Sequence, residues 1–211
     1  MKIGIFGGAF NPVHNGHLKL IDILSSVPMK PNFASLDKFV IIPTANPPHR
    51  SDDEFVSGLD RVKMLRLAIK DNDIFNSKTN SAKLEISDIE FGMVGKSYTY
   101  NTLKALKGLY PEGEYYLFVG SDQLFAFKSW YKYEKILKLA RIVVFSRKEE
   151  DIPKVKRFLE ENKDINADAV YASPFDVSSS EIRAKLKNGE SIEGLVPSCV
   201  EDYIKEHKLY V

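Results

Sequence analysis

The sequence predicts an α/β protein: a doubly wound, mostly parallel sheet with helices on both faces. Strand-length apolar runs recur along the chain, and between them stand segments whose apolar residues are spaced by three and four. The length of 211 residues suits one domain, predicted over 1–211, with a helical C-terminal subregion at 178–211.

Strands are predicted at residues 2–7, 38–43, 115–119, 141–146 and 168–172, each bounded by polar residues or by Gly and Pro. Helices are predicted at 17–27, 58–71, 98–109, 133–139 and 153–162, with two short ones near 179–188 and 198–206. In the first helix Leu18, Ile21, Leu24 and Ser25 lie along one side, and Leu20, Ile23 and Val27 widen the buried face. Gly189 is placed to stop the 179–188 helix, because glycine enters the left-handed region that ends helices at little cost. Residues 72–97 interrupt the rhythm: Asn72, Asp73, Asn76, Asn80 and Ser81 read as loop, and 82–91 as one more strand or an irregular excursion. A parallel sheet binds ligands outside the carboxyl ends of its strands, and most of the unusual residues here fall at those ends.

Composition narrows the class. With 44% hydrophobic and 28% charged residues, the chain can bury a real core as an ordinary globular protein. A formal net charge of +1 gives no global field for nucleic acid or an anionic membrane, so no nucleic-acid partner is expected. The longest apolar runs, such as Ile142-Val143-Val144-Phe145, are far too short to span a bilayer. The first residues read as a core strand with no signal-peptide organisation, and Cys199 is the only cysteine, so a cytoplasmic location is expected.

Four segments carry chemistry. The first is Gly7-Gly8-Ala9-Phe10-Asn11-Pro12-Val13-His14-Asn15-Gly16-His17, a strand-to-helix turn. Gly7 and Gly8 let backbone approach a ligand, and His14 and His17 stand where a helix N-terminus favours anions. Read alone, the histidines either cap the helix, bind zinc, or donate to phosphate oxygens. Zinc needs three or four ligands, and His49, Cys199 and His207 add none at ligand-like spacing. The segment is neither a P-loop nor a G-x-G-x-x-G fingerprint.

The second, Ile42 to Arg50, ends in Pro47-Pro48-His49-Arg50. It is either a proline-braced surface loop or an anion clamp, and residues 44–56 are the expected lid. The third is Gly120-Ser121-Asp122 at the end of an apolar run, followed by Trp130-Tyr131. Asp122 is a helix cap or an acceptor for ribose hydroxyls or a substrate amide; Trp130 is core or a flat platform for a ring. In the fourth, Val177 to Arg183, Ser178, Ser179 and Ser180 offer hydroxyl caps, and Arg183 follows about one turn on.

Together these segments resemble a known family. Gly-Gly-x-Phe-Asn-Pro-Val-His-x-Gly-His resembles the HxGH signature of the adenylyl- and cytidylyltransferases, and Val177–Arg183 is similar to their I-S-S-T-x-I-R motif. Pro47–Arg50, the Gly-Ser-Asp and Trp-Tyr segments and Ser97-Tyr98-Thr99 resemble the bacterial nicotinate mononucleotide adenylyltransferases, with the motifs in the same order along the whole chain. Ala9 departs from the Ser or Thr of many members, so position 9 offers at most its backbone.

The resemblance implies a Rossmann-like nucleotidyltransferase fold and transfer of AMP from ATP to nicotinate mononucleotide, giving deamido-NAD and pyrophosphate. It assigns His17, His14 and Arg183 to catalysis. Gly7, Gly8, Ala9, Phe10, Gly120, Asp122, Ser179 and Ser180 join them in binding ATP. Asn11, Pro48, His49, Arg50, Thr99, Tyr100, Asp122, Trp130 and Tyr131 go to the mononucleotide, with Trp130 stacking on the nicotinate ring. Because the acceptor phosphate is already ionised, no general base is required, in keeping with the lack of a carboxylate pair or a Ser/His/Asp set in the sequence. Mg²⁺ is expected, held mainly through the ATP phosphates and water rather than by protein ligands. The same chemistry on nicotinamide mononucleotide, phosphopantetheine or a sugar phosphate stays open, as does a nucleotide sensor without turnover.

Overall fold

The computed structural model describes residues 1–26, 35–48, 55–72, 82–172 and 177–211. Among these residues six parallel strands form one sheet: β1 (Lys2–Gly8), β2 (Lys38–Pro43), β3 (Lys83–Ile86), β4 (Glu114–Gly120), β5 (Ala140–Ser146) and β6 (Ala167–Tyr171). Their order is β3-β2-β1-β4-β5-β6, and every adjacent pair is parallel. The direction of winding reverses between β1 and β4, so the crevice outside Gly8 and Gly120 is the switch point where such sheets bind ligands.

Side chains alternate along each strand, and this builds two cores. Phe6, Phe39, Ile41, Tyr116, Phe118, Val143 and Phe145 face one side, where they meet Leu18, Ile21, Met64, Leu65, Ile182, Val200 and Ile204. These come from helices α1 (Asn15–Ser26), α2 (Gly58–Asp71), α7 (Ser179–Lys187) and α8 (Ser198–Glu206). Ile3, Ile5, Val40, Ile42, Leu117, Val119, Ile142 and Val144 face the other side, against Leu103, Leu106, Leu124, Ile136 and Val155. Those belong to α3 (Thr99–Leu109), α4 (Ser121–Phe125), α5 (Tyr133–Leu139) and α6 (Ile152–Glu161). A side chain at Gly4 would run into Phe39 and Phe118, so glycine there lets these rings close over the middle of β1.

The predicted elements are present, with shifts at their ends. Residues 82–91 resolve into both alternatives: β3, then a 3-10 turn at Ile89–Gly92. Helix α1 begins at Asn15 instead of 17, because the His14 carbonyl already accepts from the amides of His17 (2.9 Å) and Leu18 (3.2 Å). Val27, Asp73, Asn76, Asn80 and Ser81 lie outside the described residues. Gly189, at φ +69°, follows the Asn188 cap of α7 as expected. Among the described residues no helix is long and apolar enough to cross a membrane.

Candidate nucleotide-transfer site

The turn leaving β1 is held from three directions. Phe10 is fully buried at φ +47°, with its ring edge-on to Phe6 at 6.0 Å and 5.0 Å from the His17 ring. A side chain at Gly8 would strike the Phe10 ring, whereas at Gly7 its nearest neighbour is the Ile42 carbonyl at 4.0 Å. The exposed Gly7 therefore leaves backbone open to a ligand at the strand end. The Ala9 carbonyl accepts from Nη1 of Arg61 at 2.8 Å, so this backbone oxygen turns inward to the protein. Asn11 has no exposed surface, and its side-chain oxygen accepts from the Val56 amide (3.3 Å) and the Tyr210 hydroxyl (2.9 Å).

His14 and His17 form one unit. Their rings lie 3.7 Å apart, tilted by 33°, and each backbone amide donates to the other's Nδ1 at 3.3 Å. An Nδ1 that accepts leaves the proton of a neutral imidazole on Nε2, so each ring presents one N–H donor. Both rings are held neutral. Burial, with the charge of Arg147 second, pushes His14 down from 6.5 to about 4. Burial, then His14, then Arg147 hold His17 well below the ordinary histidine value. Two neutral donors that need no prior protonation suit phosphate oxygens on which negative charge grows.

Helix α7 meets this turn. The Ser178 hydroxyl caps it by accepting from the Glu181 amide at 3.1 Å, and the Ser179 hydroxyl donates to the Pro12 carbonyl at 3.0 Å. Arg183 donates to the Asn11 carbonyl at 2.9 Å, and its other nitrogen reaches the Ser180 hydroxyl at 3.5 Å. The first and fourth sequence segments, more than 160 residues apart, thus share one site. Gly120 is the last residue of β4, and the exposed Asp122 follows in the first turn of α4, its carboxylate accepting from the side-chain Nε2 of Gln123 at 3.1 Å and making no cap.

The second and third sequence segments stand by α3, on the opposite face of the sheet from α7. Asn46 and Ser97 are joined by two bonds, Ser97 amide to Asn46 carbonyl (2.7 Å) and Asn46 amide to Ser97 hydroxyl (2.9 Å). Lys96 donates to the Pro48 carbonyl at 3.4 Å. These contacts bring the loop after β2 to the start of α3, where the first N–H groups, near Thr99 and Tyr100, have no acceptor within the helix. The Tyr131 ring packs at 4.7 Å from Tyr98 and 6.2 Å from Tyr100, and Trp130 lies half-buried 5.1 Å from Phe127. His49 and Arg50 lie outside the described residues, as does the middle of the expected lid.

Three contributors were not anticipated from the sequence. Arg61 is only 2% exposed and donates to the carbonyls of Ala9, Thr44, Ala45 and Val56, tying the β1 turn to the loop after β2. Its signal was available: Arg61 shares the buried stripe of α2 with Leu65 and Ala68, where a charge is out of place. Buried Glu90 accepts from the Ala45 amide (3.2 Å) and the Thr102 hydroxyl (2.7 Å), fixing the same loop to α3. Arg147 follows β5 beside the Phe145 ring and places its charge near both histidines; no local motif marks it.

A parallel sheet of this order, with paired imidazoles and an arginine-bearing helix at its switch point, defines a protein of the nucleotidyltransferase class. A model of the cytidylyltransferase-like family matches residues 5–185. A relative from Dehalococcoides mccartyi, named a probable nicotinate-nucleotide adenylyltransferase, is 36% identical over 213 residues, which cover 100% of this chain and 97% of the relative. A relative of the same name from Fusobacterium nucleatum is 37% identical over 209 residues, 98% of each chain. In fold, the chain is similar to the solved Plasmodium falciparum nicotinic acid mononucleotide adenylyltransferase complexed with NaAD, at a TM-score of 0.77 and 22% identity over 99% of this chain and 97% of that one. The chain belongs to the cytidylyltransferase-like family and, within it, to the nicotinate-nucleotide adenylyltransferases.

Proposed function

We propose that this protein transfers AMP from ATP to nicotinate mononucleotide, a step of NAD biosynthesis that yields deamido-NAD and pyrophosphate. The observation that carries the reading is the neutral His14–His17 pair at the β1–β4 switch point, with Arg183 of α7 bonded to the Asn11 carbonyl three residues before His14. An oxygen of the mononucleotide phosphate attacks the α-phosphorus of ATP in line. The bond to the bridging oxygen breaks, and its electron pair leaves with pyrophosphate. The phosphate nucleophile carries its own charge, so the protein orients it and stabilises the charge that develops.

His17 and His14 donate hydrogen bonds from Nε2–H to the α-phosphate oxygens. Arg183, with Ser179 and Ser180, holds the β- and γ-phosphates, and the Arg147 charge supports the same end. Gly7, Gly8, Ala9, Phe10 and Gly120 contribute backbone to ATP. Phe10 and Asn11 are buried, so both shape the site from behind. Asp122 accepts from ribose hydroxyls, and residues 178–211 complete the ATP site.

At the acceptor end Trp130 stacks on the nicotinate ring, and the amides of Thr99, Tyr100 and Tyr131 receive its carboxylate. His49 and Arg50, assigned to the acceptor by the resemblance, lie outside the described residues. The groups turned to the triphosphate are N–H and O–H donors, which fits Mg²⁺ carried by phosphate and water. When bound, the ion neutralises part of the charge on the leaving pyrophosphate. A cytoplasmic location agrees with the lone cysteine.

The acceptor is tested by comparing kcat/KM for nicotinate and nicotinamide mononucleotides, phosphopantetheine and a sugar phosphate, each with ATP and Mg²⁺. The nicotinate compound should lead. A clear preference for another acceptor would keep the chemistry and overturn the substrate.

A further inference from the structure

We propose that Tyr210, the penultimate residue, is a positioning residue of the nucleotide site, its hydroxyl fixing Asn11 and, through Asn11, the Arg183 guanidinium. The Tyr210 hydroxyl donates to Asn11 Oδ1 at 2.9 Å across 199 residues of sequence. The Val56 amide donates to the same oxygen at 3.3 Å, so both lone pairs of this fully buried carbonyl are used. The backbone oxygen of Asn11 accepts from Nη1 of Arg183 at 2.9 Å. One residue therefore gathers the turn before His14, the approach to α2, the arginine of α7 and the end of the chain.

The tail is built to reach this point. After α8 the chain turns back with the Leu209 amide donating to the Ile204 carbonyl at 3.0 Å, and Leu209 packs on the core beside α8. Lys208 and Tyr210 both lie in the left-handed region, at φ +49° and +65°, which side-chain-bearing residues occupy only when surrounding contacts hold them there. The charged groups facing the hydroxyl are Arg61, Arg183 and Asp60. Burial, the largest influence, pushes the phenol far above its ordinary value, so it remains a proton donor throughout the physiological range. Asn11 is sealed from solvent, so water cannot readily replace a missing donor.

The inference rests on the ATP-site reading, and ATP binding tests it independently of turnover. Calorimetric titration of the full chain with ATP and Mg²⁺ is compared for wild type, Tyr210→Phe and Tyr210→Ala, with Tm measured on each. Tyr210→Phe keeps the ring and should weaken ATP binding about tenfold, the ordinary net worth of one hydrogen bond, with Tm lower by only a few degrees because Asn11 Oδ1 keeps the Val56 amide. In steady state the loss should fall on KM for ATP more than on KM for the mononucleotide. Tyr210→Ala should add a fall in Tm. Wild-type ATP affinity in Tyr210→Phe overturns the proposal, as does an equal loss for both substrates that tracks a lowered Tm. If wild type binds ATP without transferring AMP, the functional reading fails while the affinity comparison still decides the role of Tyr210.

Discussion

The proposed nucleotide end and the proposed acceptor end of the crevice are built by different means. At the nucleotide end every element is pinned: the His14–His17 pair bonds to itself, Asn11 and Arg61 are sealed inside, and Ser179 and Arg183 bond to backbone of the β1 turn. At the acceptor end the rings are half-buried or exposed: Tyr100 and Tyr131 meet edge to edge, and Trp130 leans on the buried Phe127. Transition-state charge is stabilised best by donors that need not reorganise, whereas a flat ring needs mainly a surface. The first end should govern kcat and stability, the second KM for the acceptor.

Removing the brace between the ends should have the largest effect. Arg61→Met leaves the carbonyls of Ala9, Thr44, Ala45 and Val56 without their shared donor, and should cost about 3–5 kcal/mol, because several buried acceptors lose a charge-assisted hydrogen bond at once. Thermal unfolding would register this as a Tm lower by roughly 10 °C. A shift within a degree or two would show that the two loops hold their places without Arg61.

Next in size is His17→Ala. The loss of one preorganised donor should lower kcat about 10²–10³-fold with little change in either KM. A folded variant with unchanged kcat would remove His17 from the transition state. Trp130→Ala should do the reverse, raising KM for the mononucleotide roughly tenfold, the worth of one aromatic stack, with kcat largely kept. Should KM rise for ATP alone, the ring assignment belongs to the other substrate.

The smallest effect concerns the electrostatics of the histidine pair. His14 binds its proton at about 4 when folded, so the unfolded chain takes up more protons between that value and 6.5. Its contribution to stability is therefore fully present above pH 6.5 and is lost as pH falls from 6.5 through 4. Arg147 is the lesser of the two causes, so Arg147→Met should raise the His14 titration seen by NMR by less than about one unit. A titration that does not move would place Arg147 away from the pair.

Legibility in the sequence followed the same division. Strands such as Ile142–Phe145 and the α1 stripe could be read because periodicity is local, and the His14–His17 motif because its spacing sits on one turn. The short β3 was ambiguous, since its four residues give too little period to tell a strand from an excursion. Arg61 carried a signal that propensity alone conceals, a charge in an apolar stripe. Tyr210 and Arg147 carried none, because their roles depend on contacts that only the folded chain brings together. Ala9 shows the limit from the other direction: the missing hydroxyl was visible, but not the inward carbonyl that Arg61 holds.

The central claim, AMP transfer onto nicotinate mononucleotide, is tested most directly by product identity. The purified protein is incubated with ATP, Mg²⁺ and nicotinate mononucleotide, and both products are quantified by mass spectrometry and pyrophosphate assay. Deamido-NAD and pyrophosphate should appear one for one. Bound ATP with no pyrophosphate, or pyrophosphate without the dinucleotide, would contradict it.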